Sequence, residues 1–319
     1  MLALGLLLLP VAGGAQPAAR VPRIGILTLA PTATASPAYD ALREALRDLG
    51  YLEGKSIVLE FRLAAGNYDR LPALAVDLVR LPVDVIVTDG GDLVSRAALN
   101  ATKTIPIVMA TSGDPVASGL VASLARPGGN ITGFTTPYID IAAKRFQLLK
   151  EIVPAATRLG VLWDQAAGPT NAQLTAAESA APSLGVRLVS LPVRGPADFE
   201  AAFKAARGQQ AGALLQLASR MLFDNRRSIA ERALKYRLPG MFELGFADTS
   251  ALACYGTSVA DNFRRVAVYV DRILKGARAG DLPIEQPARF DLVINLKTAT
   301  ALGLTIPPSV LLQATKVIK

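Results

Sequence analysis

Arg23-Ile24-Gly25-Ile26-Leu27-Thr28 is a short apolar run, and the segment downstream of it decides the fold. Beyond a loop, Leu42, Ala45, Leu46 and Leu49 recur at the i, i+3, i+4, i+7 spacing of a helix with one buried face, and Gly50 supplies the stop signal. The alternation then repeats. The pattern predicts strand 56–62, helix 68–81, strand 83–88, helix 93–102 and strand 105–110, one complete lobe with crossovers. Short apolar strands alternating with one-sided helices mark parallel α/β units, because each crossover helix buries its apolar face on the sheet.

The pattern restarts after the Gly- and Pro-rich stretch Arg126-Pro127-Gly128-Gly129-Asn130. Helix 139–152 precedes strand 159–163, helix 171–184, strand 187–192, helix 197–207, strand 213–217, helix 223–236 and strands near 240–244 and 251–255. Two successive doubly wound modules predict two lobes facing each other across a cleft, with ligands beyond the carboxyl ends of the strands. Helix 259–274 carries Val259, Phe263, Val266, Val270 and Ile273 along one face. The Pro-punctuated extended segment 282–294 and a short helix come after it, reading as a chain that returns between lobes.

Composition narrows the function. The chain has 319 residues, 51% hydrophobic and 19% charged, which describes a folded protein with ample core. It has 0 histidines, so Ser-His-Asp and Cys-His nucleophiles and His-containing metal sites are excluded. A single cysteine, Cys254, permits neither an internal disulfide nor a multi-cysteine zinc site. No GxGxxG follows the first strand and no GxxxxGK[ST] occurs, while Asp89 and Asp92 lack the further ligands a metal needs. The expectation is a protein without catalysis, cofactor or metal. The net charge of +8 is scattered along the chain, and its densest pairs, Arg226-Arg227 and Arg264-Arg265, lie inside amphipathic helical patterns. Nucleic acid is therefore not an expected partner.

Residues 1–15 read as a signal peptide: an apolar stretch from Leu2 to Leu9, then Gly13 and Ala15 at the −3 and −1 positions of a cleavage site, although no Lys or Arg precedes the stretch. Nothing downstream reaches the ~18 or more uninterrupted apolar residues of a transmembrane helix.

Longer motifs carry a resemblance. Asp114-Pro115-Val116, Gly119-Leu120-Val121, the run Leu124-Ala125-Arg126-Pro127-Gly128-Gly129-Asn130-Ile131-Thr132-Gly133, and Lys144 to Glu151 with Pro154 are similar to the substrate-binding proteins of ABC importers related to the tryptophan/tyrosine-binding group. Tyr269 to Gly276, Asp281 to Pro287, Asn295 to Ala299 and Ala301 to Pro308 agree. The resemblance implies two Rossmann-like lobes around a cleft in the type I periplasmic-binding-protein architecture, with the chain crossing between them about three times. The lobes are then residues 21–134 with 255–289, and 135–254 with 290–319. It also implies a small-molecule ligand, and an ABC permease with its ATPase subunits as partners. At Asp89-Gly90-Gly91 the chain departs from the small or Pro-containing sequence of many relatives. Many relatives carry a lipidation cysteine at the cleavage site; none precedes Cys254 here, so a soluble periplasmic form is expected. A sensor or effector-binding protein of the same fold and a doubly wound enzyme are the alternatives, and the stretch before Arg23 is short for a helix-turn-helix head.

The cleft is read from strand ends. Thr88-Asp89-Gly90-Gly91-Asp92 either exposes backbone N–H groups to an anion at a helix start or is a plain Gly turn capped by Asp92. Thr111 and Ser112 offer hydroxyls to a ligand carboxylate, and Asp114 suits either an ammonium or a helix cap. From the second lobe, Trp163, Asp164, Gln216 and Phe246 are expected to supply an aromatic wall with polar groups. The loop from Thr28 to Tyr39 either covers the cleft or is mobile.

Overall fold

The computed structural model describes residues 20–33 and 36–319; the expected signal peptide lies outside them. The elements in order are β1 (Arg23–Thr28), α1 (Pro37–Asp48), β2 (Val58–Leu63), α2 (Leu71–Arg80), β3 (Val85–Asp89), α3 (Asp92–Ala101), β4 (Ile107–Met109) and β5 (Ile131–Gly133). Then come α4 (Tyr138–Ile152), β6 (Arg158–Asp164), α5 (Gly168–Ala180), β7 (Arg187–Val193), α6 (Phe199–Gly208), β8 (Ala213–Gln216), α7 (Arg220–Asp224), α8 (Arg226–Lys235), β9 (Gly240–Phe242) and β10 (Ala253–Gly256). The chain ends with α9 (Val259–Leu274), β11 (Asp291–Asn295), α10 (Leu296–Leu302), α11 (Pro308–Gln313) and β12 (Lys316–Ile318).

Two sheets result, in the orders β2-β1-β3-β4-β5 and β12-β11-β10-β9-β8-β6-β7. All pairs are parallel except β10 with β11. Strand periodicity divides the cores. Ile24, Ile26, Val85 and Val87 face α1 and α9, whereas Leu27 and Ile86 face α2 and α3. The second sheet is covered on both faces in the same way, by α4, α5, α10 and α11 on one side and α6 and α8 on the other. This is the type I periplasmic-binding fold.

The fifth strand of the first sheet is β5, which begins directly after the Gly/Pro-rich stretch, and Thr111 follows the fourth, β4. Gly133 is what admits β5: its φ is +133°, and a Cβ there would lie 2.2 Å from the Met109 carbonyl oxygen. After β10, α9 returns to the first sheet, where Phe263, Val266 and Val270 pack with Tyr39 and Leu42, and β11 and β12 rejoin the second. Tyr255 and Gly256 are still paired with β11, so that crossover starts after Gly256 and not at Tyr255.

Candidate functional site

The ends of β3 and β4 build one wall of a cleft. Asp89 ends β3, and its Oδ2 accepts from Thr28 Oγ1 at 3.0 Å and from Tyr39 Oη at 2.8 Å; Thr111 Oγ1 approaches Oδ1 at 3.4 Å. Burial, and then the Asp89 charge, push the Tyr39 phenol far above its ordinary pKa, so it stays a donor. Gly90 and Gly91 have φ of +121° and +92°, which turns the chain sharply into α3. The Gly90 N–H donates to Thr111 Oγ1 at 3.1 Å. The N–H groups of Asp92 and Leu93, the first two positions of α3, have no acceptor within the helix, and both residues line the cleft with Gly91. Asp92 Oδ1 accepts from Ser112 Oγ at 2.5 Å and from the Gly113 N–H at 2.9 Å.

The opposite wall comes from the second sheet. Ser219 caps α7, accepting from the Leu222 N–H at 3.1 Å, and so fixes Arg220 at the first helical position. Arg220 Nε lies 3.0 and 3.1 Å from the two Asp224 oxygens, and Nη1 reaches across to Asp89 Oδ2 at 3.0 Å. Burial alone would lower the Arg220 pKa, but Asp89 and Asp224 outweigh it and hold the guanidinium above its ordinary value. Glu243, just after β9, is clamped by Gln216: its N–H donates to Oε1 at 3.0 Å, and Nε2 donates to its carboxylate at 3.0 Å. Burial pushes the Glu243 pKa up, with Arg145 opposing. Phe223 lies under two guanidinium groups, 4.9 Å from that of Arg226 and 5.7 Å from that of Arg220. The walls enclose about 490 Å³, which Tyr68, Tyr138 and Phe223 also line.

Residues 23–318 match the family model described as ABC transporter substrate binding protein. The chain belongs to that family. This substrate-binding protein is 27% identical over 282 residues to a tyrosine-binding protein of Clostridioides difficile, covering 88% of this chain and 81% of that one. It is similar to a conserved domain protein of Vibrio cholerae at 28% identity and a TM-score of 0.82, covering 93% of this chain and 100% of that one. An ABC domain from Streptococcus pneumonia in complex with L-Trp matches at 22% identity and 0.82, covering 94% and 100%.

Within this substrate-binding protein, Asp89, Gly90, Gly91 and Thr111 line the cavity. Thr28 lies beneath them, holding Asp89. Thr88 is fully buried and bonds Ser95 at 2.8 Å. Ser112 is turned onto Asp92, and Asp114 accepts the Val116 and Ala117 N–H groups within a turn, not at the start of a helix. The expected aromatic wall is built differently. Phe246 stacks on Phe242 at 5.0 Å within the core, and Trp163 donates to Ser190 at 2.9 Å. Neither lines the cavity. Asp164 accepts the Ala166 N–H, and Gln216 acts through Glu243. Arg220, Phe223 and Glu243 are not legible as site residues in the sequence, because each reads as ordinary helix or loop composition until the lobes are placed together. The Ser219 cap before Arg220 is the one local signal. Among the described residues no His/Cys/Asp/Glu group is placed to hold a metal, and no helix is long and apolar enough to cross a membrane.

Proposed function

We propose that this substrate-binding protein is the extracytoplasmic component of an importer, which captures a small carboxylate-bearing ligand, an amino acid with an aromatic side chain, and delivers it to an ABC permease driven by its ATPase subunits. It works in the periplasm, after removal of residues 1–15. The observation that carries this reading is the cavity of about 490 Å³ lined from both lobes, a volume within the ~300–1,000 Å³ of small-molecule sites. Charge fits as well. The free N–H groups at the start of α3, with Arg220 beside them, suit a carboxylate, and Glu243 suits an ammonium. Phe223, Tyr138 and Tyr68 offer rings to an aromatic side chain. The tyrosine-binding and L-Trp-complexed relatives support the same ligand class.

The lobes, residues 21–134 with 257–289 and 135–256 with 290–319, close about the crossovers, since a ligand touching both walls stabilises only the closed arrangement. Titration calorimetry against the L-amino acids, on protein refolded to strip retained solute, tests the function. Saturable binding of an aromatic member is expected; binding of none of them, or turnover of one, overturns it.

A further inference from the structure

Arg145 of α4 is a cation only 3% exposed, behind the cavity wall. Its Nε donates to the Tyr255 carbonyl at 2.6 Å, and among the described residues its Nη groups have neither a hydrogen-bond partner nor an ion pair. A Cβ on Gly256 would lie 3.0 Å from Nη2 and 3.7 Å from the Leu244 nitrogen, so the guanidinium end sits beside the residue that follows Glu243. A charge buried this deeply needs compensation. The other charged groups around Glu243 are already paired: Arg220 lies between Asp224 and Asp89, and the three together are net negative. Burial keeps the nearby Tyr138 phenol and Cys254 thiol neutral. Burial also works against both the Arg145 and the Glu243 charge, and at each of them the other does most to oppose it.

The two charges are held apart. Gln216 grips Glu243 at both its N–H and its carboxylate, and Arg145 is tied to the end of β10, so the carboxylate lines the cavity instead of collapsing onto the guanidinium. We infer that Arg145 is a positioning residue for the cationic end of the ligand: a buried counter-charge that keeps Glu243 ionised from behind while leaving its oxygens free to take an ammonium. An apolar side chain in its place would let burial protonate Glu243, and a neutral carboxyl is the weaker partner for an ammonium, because hydrogen bonds between ionised groups are the strong ones. A guanidinium suits the position because it stays charged when buried. That Glu243 takes an ammonium rests on the importer reading; the counter-charge belongs to the wall itself.

Carbon-13 NMR titration of the side-chain carboxyls in the ligand-free protein tests it, with the Glu243 signal assigned by its loss in Glu243→Gln. Arg145→Met is expected to raise the pH at which Glu243 ionises by about one unit or more, the effect of removing an opposite charge close by. Arg145→Lys, which keeps a cation at the position, is expected to titrate nearer to wild type than Arg145→Met does. A cooperative melt confirms that each variant is folded, and Arg145→Gln takes the place of Arg145→Met if that variant fails to fold. A midpoint unmoved by Arg145→Met overturns the assignment. So does Arg145→Lys displaced as far as Arg145→Met, since packing rather than charge would then be at work. Calorimetry with L-tyrosine and L-tryptophan over the same pH range is expected to show binding lost on acidification at a higher pH in Arg145→Met than in wild type. If the midpoint moves and wild type binds neither amino acid, the counter-charge stands and the importer reading falls. If wild type binds one of them and the midpoint stays, the reverse holds.

Discussion

The Ser112 hydroxyl donates to Asp92 Oδ1 at 2.5 Å, and the Gly113 N–H meets the same oxygen at 2.9 Å. A hydroxyl at a strand end, where the sequence suggests a contact to a ligand carboxylate, instead ties the loop after β4 to the first turn of α3. Ser112→Ala should therefore act mainly on stability, lowering it by about 1.5–3 kcal/mol, the worth of a hydrogen bond to a charged group. Urea unfolding measures this, and an unchanged midpoint would show that the Gly113 N–H alone suffices.

Glu243 gives a pH prediction. Its folded-state pKa is raised by burial, so between the ordinary value and the raised one the folded state binds more protons than the unfolded state. Stability contributed by the protonated form is then present below the unfolded pKa of ~4.3 and is lost as pH rises through the folded pKa. Glu243→Gln should melt at a higher temperature than wild type at neutral pH, with the difference vanishing in acid. The same substitution should weaken ligand binding, because it removes the charge offered to an ammonium. Melting curves across pH, paired with calorimetry, check both signs.

Phe223 and Trp163 separate cavity from periphery. Phe223→Ala should weaken an aromatic ligand by about 1 kcal/mol or more, through lost apolar contact. Trp163→Phe should leave affinity within about 0.5 kcal/mol, as for changes away from a site. Titration of both variants with L-tyrosine and L-tryptophan decides, and a large loss at Trp163 would relocate the aromatic wall.

At Gly133, alanine would combine a φ of +133° with a 2.2 Å approach to the Met109 carbonyl. Gly133→Ala should lose about 3 kcal/mol or more, the upper range for backbone strain, and an unaltered melting temperature would contradict the close packing of β5 on β4.

What the sequence determined by itself were the features whose signal is local and periodic. The apolar face of Val259, Phe263, Val266, Val270 and Ile273 specified α9 to its observed bounds, Val259–Leu274. The alternation of short apolar runs with one-sided helices specified two doubly wound modules, because buried parallel strands and their covering helices impose different periods on the same chain. β5 escaped because its three residues follow directly on the Gly- and Pro-rich stretch, which reads as a turn. The polar partners were decided by tertiary structure alone. Thr28 lies 61 positions from Asp89 in the chain, and Arg220 lies 131 from it, yet both bond the same oxygen. Whether a hydroxyl or carboxylate faces a ligand or a neighbour depends on which donors the fold brings within about 3 Å, and no spacing along one segment encodes that distance.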